Sequence, residues 1–448
     1  MFDTICAIST ALGVGAISII RVSGPDAIKL VAPLFDGKDL NSVDSHTVHY
    51  GHIVKNDEVI DEVLVTVLKA PKTYTTEDTI EINSHGGIST TKKVLEVLLE
   101  SGIRLAEPGE FTKRAFLNGR IDLQEAESVG SLINAKTDLE RRLALNGISG
   151  KISRKIKKVR DIIVELMANI EVNIDFPEYE DALVITRENL NPKLKEIKSE
   201  LESLLDESKI GKLVNDGIKV AIVGRPNVGK SSILNHFLGE NKAIVTNIAG
   251  TTRDIVEGEV ELKGIRLKFI DTAGIRNTED IVERIGVDKS LEMIEEADLV
   301  IHVLNNNETL TDEDKEIMNK IKDKTHITFI NKTDLETNLK IEDKNVVRGN
   351  TITDEGLDKL KNKIVELFDL DTIEISNLEM VSSARVISLI KESLTHIENA
   401  ISHINEEIPV DMIAIDIKAA WDTLGEITGE SYGDELLDTL FSKFCLGK

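Results

Sequence analysis

The order of apolar and polar residues changes texture twice along the chain. Up to about residue 118, short runs rich in Val, Ile and Thr dominate. AISIIRVSG, TVHYGHIV, EVLVTVLKA and DTIEIN read as strands closed by turn-forming residues. STTKKVLEVLLES reads as a helix with Val94, Leu95, Leu98 and Leu99 on one stripe. The pattern then turns helical. Ile156, Val159, Ile163, Leu166 and Ile170 step by three or four, as do Leu194, Ile197, Leu201 and Leu204, with Phe176 and Pro177 as the interruption between them. Near residue 380 the same texture returns: Ile390, Leu394, Ile397, Ile401 and Ile404 are spaced 4, 3, 4, 3, the seam of a bundle or coiled coil.

Between the two helical stretches lies strand–helix alternation. IKVAIVG, GEVEL, IRLKFID, DLVIHVL, HITFIN and NVVRG are candidate strands, several of them near-continuous apolar runs. Such runs suit parallel strands covered on both faces, and hence a doubly wound α/β domain. Its ends would lie close together, so it can be inserted in another domain. The expected fold class is therefore α/β. An N-terminal α/β domain spans 1–118, a helical domain comes in two parts at 119–215 and 372–448, and an inserted α/β domain occupies 216–371.

Composition narrows this picture. A chain of 448 residues suits two to four domains at about 100–200 residues each. With 41% hydrophobic and 30% charged residues it has the means to build cores, which argues against global disorder. The net charge of −25 excludes nucleic-acid binding by bulk charge alone; any contact with RNA needs a local basic patch or a basic partner. Two cysteines, Cys6 and Cys445, rule out a disulfide framework and a four-cysteine zinc site, and fit a reducing cytosol. No apolar stretch approaches the roughly 18 residues of a membrane span, and MFDTICAIST does not look like a signal peptide. The expectation is a soluble, cytoplasmic protein without a membrane partner.

The chemistry sits in the middle stretch. GRPNVGKS, from Gly224 to Ser231, follows a strand, precedes a helix and fits G-x-x-x-x-G-K-S/T. Its glycines let the backbone wrap phosphates, Lys230 would reach the β- and γ-phosphates, and Ser231 would bind Mg²⁺. In IDTAG, Asp271 is placed to hold Mg²⁺ through water, and the Gly274 amide to meet the γ-phosphate. NKTD, from Asn331 to Asp334, closes another strand. Asp334 can accept two hydrogen bonds from N1–H and the 2-amino group of guanine, donors that adenine lacks, and Lys332 can lie along the base. The three motifs in this order make a GTP-binding P-loop domain. TNIAGTTRD at 246–254 sits where a switch loop belongs, with Thr252 able to give Mg²⁺ a hydroxyl. Many GTPases carry a water-orienting glutamine after Asp-x-x-Gly, but here the residue is Ile275. Either hydrolysis is slow or another group positions the water, and Glu279, Asp280 and Glu283 are the nearby candidates.

With these residues in view the chain resembles a known family. GRPNVGKSS, IVTNIAGTTRD, IDTAGIR and NKTD are similar to the translation-factor-related GTPases. The flanks ISIIRVSGP, IEINSHGG and EPGEFTKRAFLNGRIDLQEAE, with the closing Cys445, Leu446, Gly447 and Lys448, resemble the MnmE (TrmE) family of tRNA-modifying GTPases, which ends in Cys-x-Gly-Lys. The resemblance covers essentially the whole chain. The nucleotide motifs are shared widely; the two ends make it specific.

The resemblance implies a GTP hydrolase that works with a flavin-dependent partner, MnmG (GidA), on C5 of the wobble uridine of certain tRNAs. A tetrahydrofolate derivative, the 5-formyl or 5,10-methylene form, supplies the one-carbon unit. The N-terminal domain would bind it and form a homodimer, and the G domains would meet when GTP and K⁺ are bound. Residue by residue, Glu283 matches the catalytic glutamate. Asn227 matches a K⁺ ligand, and Thr246, Ile248 and Thr251 match the loop that caps the ion. Ser231 and Thr252 match the Mg²⁺ ligands. The GTP-binding set also takes in Val228, Gly229, Lys230, Ser232, Asn247, Ala249, Gly250, Asp271, Thr272, Ala273, Gly274, Asn331, Lys332 and Asp334. Arg21, Glu81, Arg120 and Lys448 match the folate-site positions. One carboxylate can take adjacent pterin N–H donors, which suits Glu81, and the carboxylates of the glutamate tail suit Arg21, Arg120 or Lys448.

Some features stand apart. The guanine loop of the family contains Ser-Ala, whereas Asn350 and Thr351 occupy the matching positions, followed by Thr353, Asp354, Glu355 and Gly356. Weaker or altered guanine binding is the most this departure implies. Cys445 is a possible nucleophile or a small packing residue. His46, His49 and His52 suggest a metal cluster, yet on a strand His46 and His52 share a face and His49 points away. The basic run at 151–160 reads first as a solvated helix face. The alternative function is a ribosome-assembly or RNA-chaperone GTPase without modification chemistry, and a further one is a structural dimer regulated by GTP.

Overall fold

The structure, a computed structural model, describes residues 3–175, 187–240, 258–270, 292–341, 343–353, 356–372, 380–406 and 408–448. The strands are β1 (Ile5–Ile8), β2 (Ile17–Ser23), β3 (Phe35–Asp36), β4 (Thr47–Lys55), β5 (Glu58–Leu68), β6 (Thr79–His85), β7 (Arg104–Leu105), β8 (Ile218–Val223), β9 (Gly258–Leu262), β10 (Ile265–Phe269), β11 (Leu299–Asn305), β12 (His326–Asn331) and β13 (Val346–Arg348). The helices are α1 (Ala27–Val31), α2 (Ile88–Glu100), α3 (Glu110–Leu117), α4 (Leu123–Asn134), α5 (Asp138–Ile148), α6 (Lys151–Asp175), α7 (Arg187–Asp216), α8 (Lys230–Glu240), α9 (Asp312–Ile321), α10 (Leu357–Leu367), α11 (Ala384–Asn405), α12 (Val410–Thr428) and α13 (Asp434–Phe441). The chain divides into two units: residues 1–130, 148–197 and 392–448, and residues 131–147 and 198–391.

The first unit holds a seven-stranded sheet in the order β3-β4-β5-β6-β2-β1-β7. Neighbours are antiparallel except β1 and β7. Alternation along β2, β5 and β6 sends Ile20, Val22, Val65, Val67, Ile80 and Ile82 to one face, where Val94, Val97 and Leu98 of α2 cover them. Each such side chain contributes about 1.5–3 kcal/mol when fully buried. The stripe expected on α2 is out of phase. Val94 and Leu98 are buried, but Val97 completes the face and Leu99 is exposed. At 3.6 residues per turn, position 97 stays on the face of 94 and 98, and position 99 leaves it. The predicted strands at 16–24, 47–54, 62–70 and 78–83 are present, whereas the short β1, β3 and β7 carried no legible pattern.

The helices of this unit bury the expected rows. Ile156, Val159, Ile163, Leu166 and Ile170 of α6 are all buried. In α11, Ile390, Ile397 and Ile404 are buried, while Leu394 and Ile401 are half-buried. Ser393 and Ala400 take the inner positions instead, and the Ser393 hydroxyl donates to Ala420 O of α12 at 3.2 Å. Small residues let backbones approach there. The Arg160 guanidinium of α6 lies 4.4 Å from the Trp421 ring of α12 and pairs with Glu430 at 2.5 Å.

The second unit holds a six-stranded sheet in the order β13-β12-β11-β8-β10-β9. Its pairs are parallel except β9 with β10. All six strands expected in this stretch are present. One face carries Ile222, Val220, Leu267 and Ile301 against Ile233 and Phe237 of α8 and Leu360 and Ile364 of α10. The other carries Ala221, Val223 and Val300 against Ile317 and Ile321 of α9. Layers on both faces explain the continuous apolar runs. Helix α5 joins the same core through Leu139 and Leu143, and its Glu140 accepts a hydrogen bond from Arg266 Nε on β10. Among the described residues no helix is long and apolar enough to cross a membrane.

Candidate functional site

Strand order reverses at β8, and in open α/β sheets ligands bind at such a point, beyond the carboxyl ends of the strands. The Gly224–Ser231 loop leaves β8 there and runs into α8. Gly224 has φ +140° and Gly229 φ +109°. A Cβ at Gly224 would overlap the Val303 carbonyl, and one at Gly229 would overlap the Asn331 amide, so these two positions admit only glycine. Asn227 is exposed and also has positive φ, 62°. Lys230 Nζ donates to Gly224 O at 2.5 Å and Arg225 O at 2.6 Å, and burial pushes its pKa down. Val228 is buried, Ser231 half-buried and Ser232 exposed.

The NKTD turn is tied to this loop. Asn331, 1% exposed at the end of β12, donates from Nδ2 to Val228 O at 2.8 Å and to Thr351 Oγ1 at 3.2 Å. Its Oδ1 accepts the Thr351 amide at 3.1 Å. Lys332 takes φ 61°, and Asp334 Oδ1 accepts from Asn350 Nδ2 at 2.9 Å. The Gly224–Ser231 loop and the NKTD turn thus share hydrogen bonds, with Thr351 bonded to Asn331 and Asn350 to Asp334. Neither Asn350 nor Thr351 was assigned a role from the sequence; the signal available was their departure from the family's Ser-Ala. Thr246, Asn247, Ile248, Ala249, Gly250, Thr251, Thr252, Asp271, Thr272, Ala273, Gly274 and Glu283 lie outside the described residues, as do Ile275, Glu279 and Asp280.

In the first unit four residues from distant positions converge. Arg21 on β2 and Glu81 on β6 are register partners, and Arg21 donates from Nε and Nη2 to Glu81 Oε1 at 2.9 and 2.7 Å. The ring of Tyr74 gathers the cations: Arg21 Cζ stands 5.8 Å from its centre, Arg120 Cζ 4.5 Å and Lys448 Nζ 5.5 Å. Burial, and then the charge of Arg21, lowers the Lys448 pKa. Sequence reasoning brought forward Arg21, Glu81, Arg120 and Lys448 and missed Tyr74. An aromatic residue between strands has no local signature.

Backbone contacts place Lys448. The Phe111 amide donates to Lys448 O at 3.2 Å, and Ser9 Oγ donates to Gly447 O at 3.2 Å. Gly447 has φ +91° and lies so close to Ile8 O that a Cβ would overlap it. The Tyr74 loop is held from below. Tyr74 OH and Thr112 Oγ1 are 2.9 Å apart, and Ser23 Oγ reaches Thr75 Oγ1 at 2.6 Å and Glu77 Oε2 at 2.9 Å. Arg114, 1% exposed, bonds Glu77, Glu110 and Asp3. Three cations, one carboxylate and an aromatic face suit a flat heteroaromatic ligand that carries N–H donors and carboxylates.

Cys445 is exposed, whereas Cys6 is buried and its thiol pushed up to about 12. His46 Nδ1 meets Ser45 Oγ and His49 Nε2 meets Thr47 Oγ1, both at 2.8 Å. No group of three or more His, Cys, Asp or Glu fit for a metal ion occurs among the described residues.

Residues 4–120 match the family model described as GTP-binding protein TrmE N-terminus, and residues 123–445 match the MnmE helical domain. The tRNA modification GTPase MnmE of Bacillus cytotoxicus is 51% identical over 100% of both chains, and that of Bacillus mycoides is 51% identical over 100% of both. The crystal structure of Era with MgGDPNP and 16S ribosomal RNA nucleotides is 31% identical over 34% of this chain and 56% of that chain. Its TM-score is 0.25, too low to speak to the fold.

Proposed function

Since the chain belongs to the MnmE (TrmE) family and is a GTP hydrolase of tRNA modification, we propose that it uses a folate one-carbon unit to modify C5 of a wobble uridine. It does so with a flavin-dependent MnmG-type partner, in the cytoplasm, as a homodimer. The observation that carries the folate part is the convergence of Arg21, Glu81, Arg120 and Lys448 on Tyr74.

In the first unit Glu81 accepts the adjacent N–H donors of a pterin; its Oε1 is oriented by Arg21. Arg120 and Lys448 hold the carboxylates of the glutamate tail. The bound folate supplies the one-carbon unit. In the second unit Lys230 exchanges the Gly224 and Arg225 carbonyls for phosphate oxygens. The amides at the start of α8 hold the phosphates beside it. Ser231 and Thr252 supply hydroxyls to Mg²⁺, and Asp334 reads guanine. Asn227, Thr246, Ile248 and Thr251 hold K⁺, which supplies positive charge where an arginine finger would stand. Glu283 orients the attacking water. Nucleotide-driven contact between G domains links hydrolysis to the modification cycle.

Calorimetric titration with 5-formyltetrahydrofolate tests this reading on the full chain and on a chain lacking residues 445–448. The full chain binds the folate and the shortened one does not, while both hydrolyse GTP. A full chain that binds no folate refutes the reading, and a shortened chain that still binds it removes Lys448 from the site.

A further inference from the structure

Residues 141–160 hold eight Lys and Arg and no Asp or Glu, in a chain whose net charge is −25. With 79 acidic residues in 448, an ordinary stretch of that length carries three or four. Part of the positive charge is neutralised locally. Arg141 and Arg142 both pair with Asp138, and Arg160 pairs with Glu430. Arg154, Lys157 and Lys158 remain, all exposed on the first two turns of α6. At i, i+3 and i+4 they share one face, while Ile156 and Val159 are buried on the other. Arg154 Nη1 donates to Ser149 O at 3.0 Å, which holds its guanidinium at the start of that face. Among the described residues Lys157 and Lys158 have no ion-pair partner.

Other exposed lysines in this protein are treated differently. On α7 Lys198 pairs with Glu202 and Lys209 with Asp206, and on α9 Lys315 pairs with Asp312. Each partner lies one turn away, as suits a helix face that meets only water. Helix α6 also departs from a second preference. Its first turn holds Lys151 and Arg154 and no acid, although the N-terminal end of a helix carries partial positive charge and favours carboxylates. Two breaks of local rule on one face are the mark of a site that meets an external anion.

We propose that Arg154, Lys157 and Lys158 form a contact for the phosphate backbone of tRNA. The inference rests on the family's role in tRNA modification and adds where on this chain the RNA lies. An open helix surface encloses no single ion, but it suits charges repeated along a strand. Residues 154–158 rise about 6 Å along the helix, and successive phosphates of a duplex strand advance about 3.4 Å, so the face meets two or three neighbouring phosphates. A membrane surface is disfavoured, because the apolar residues of these turns, Ile156 and Val159, are buried and leave no face to enter lipid. Contacts of this kind position the RNA without reading its sequence. The acidic remainder of the chain repels RNA, so a lone basic face also sets the direction of approach.

Equilibrium binding of an unmodified tRNA transcript to the full chain, between about 50 and 200 mM KCl, tests the proposal. The double variant Lys157→Gln with Lys158→Gln binds at least about ten-fold more weakly at the lowest salt, and its log–log salt slope shrinks by about 1.5. Its GTP hydrolysis in the absence of RNA is that of wild type. Lys157→Arg with Lys158→Arg retains affinity and slope. Lys209→Gln with Lys315→Gln makes the same change in net charge on other helices and leaves binding nearly unchanged. Wild-type affinity in the 157/158 glutamine variant overturns the proposal, as does an equal loss in the 209/315 control, which would assign the effect to bulk charge. Weaker binding with an unchanged salt slope overturns it too, since a merely structural disturbance removes no phosphate contact. So does a wild-type chain that binds no tRNA at the lowest salt. Unchanged tRNA binding with a loss of binding to phosphatidylglycerol vesicles gives the face to a membrane instead. The tRNA reading itself fails by a different result: tRNA nucleosides of unaltered mass in a strain lacking this chain.

Discussion

Lys448 Nζ stands 5.5 Å from the centre of the Tyr74 ring, which Arg120 approaches at 4.5 Å and Arg21 at 5.8 Å. Three cations around one ring repel one another, and the negative face of the ring offsets part of that repulsion. The ring of residue 74 thus helps residues 21, 120 and 448 to share a space, and the Glu81 carboxylate, bonded to Arg21, adds negative charge there.

Replacing Tyr74 by leucine removes that face. Anionic folate binding weakens by roughly ten-fold, from about 0.5–1 kcal/mol per lost cation–π contact. Tyr74→Phe keeps the ring, loses only the contact with Thr112, and binds nearly as wild type. Calorimetry on both variants separates the two roles, and a phenylalanine variant as weak as the leucine one assigns the effect to the hydroxyl.

If the proposed K⁺ and Glu283 roles hold, hydrolysis will depend on both, given that Ile275 follows Gly274 where a glutamine would orient water. Single-turnover rates are higher in KCl than in NaCl at equal ionic strength. Glu283→Ala lowers turnover by about 10²–10⁴ with GTP affinity little changed. Equal rates in the two salts end the K⁺ assignment. A fully active Glu283→Ala moves the role to Glu279, Asp280 or an arginine.

Arg114→Met tests the buried network beneath the Tyr74 loop. Arg114 bonds Asp3 Oδ1 at 3.0 Å, Glu77 Oε1 at 3.2 Å and Glu110 Oε1 at 2.8 Å. Removing the cation leaves Glu110 and Glu77 in poor solvent, a loss of about 3–5 kcal/mol for a broken buried pair. The urea midpoint of the variant falls accordingly; an unmoved midpoint means that water or Arg104 satisfies the carboxylates.

His302 makes stability sensitive to acid. It is fully buried on β11, and neither ring nitrogen has a hydrogen-bond partner among the described residues. Burial pushes its pKa down to about 4, with Asp314 and Asp343 opposing the shift and His326 and Arg225 adding to it. The unfolded chain protonates this imidazole near pH 6.5 and the folded chain does not, so stability is undiminished above about 6.5 and falls between about 6.5 and about 4. His302→Leu flattens that part of the profile. Identical slopes for wild type and variant, read by urea unfolding at pH 7.5 and 5, exclude His302 as the cause.

Much of the second unit was legible because its determinants are local. IKVAIV, LVIHVL and HITFIN read as strands since both faces of the sheet are covered, so nearly all their side chains are apolar or buried, Lys219 near the start of β8 being the exposed exception. The phosphate loop was equally legible. Gly224 and Gly229 announce a strand–turn–helix geometry that no other residue can adopt. Short strands such as β3 and β7, two residues each, offer no period to detect. On α2 the choice between Val97 and Leu99 depended on phase, and five apolar residues among the six at 94–99 leave the phase undetermined until the sheet supplies a face.

The order of strands and helices, the G motifs and the apolar rows of α6 and α7 were properties of neighbouring residues, and the amino-acid sequence determined them by itself. Only the tertiary structure decided which distant side chains meet. Arg21 faces Glu81 because β2 and β6 pair in one register; a shift of one residue would turn both away. Lys448 reaches Tyr74 because the last residues lie against β1 and α3, held by Ser9, Phe111 and the glycine at 447. Asn350 finds Asp334 because β13 lies beside β12, which sets their two loops side by side. Periodicity carries no information across such separations, since the chain between two partners fixes neither their distance nor their direction until the whole sheet and its docked tail are formed.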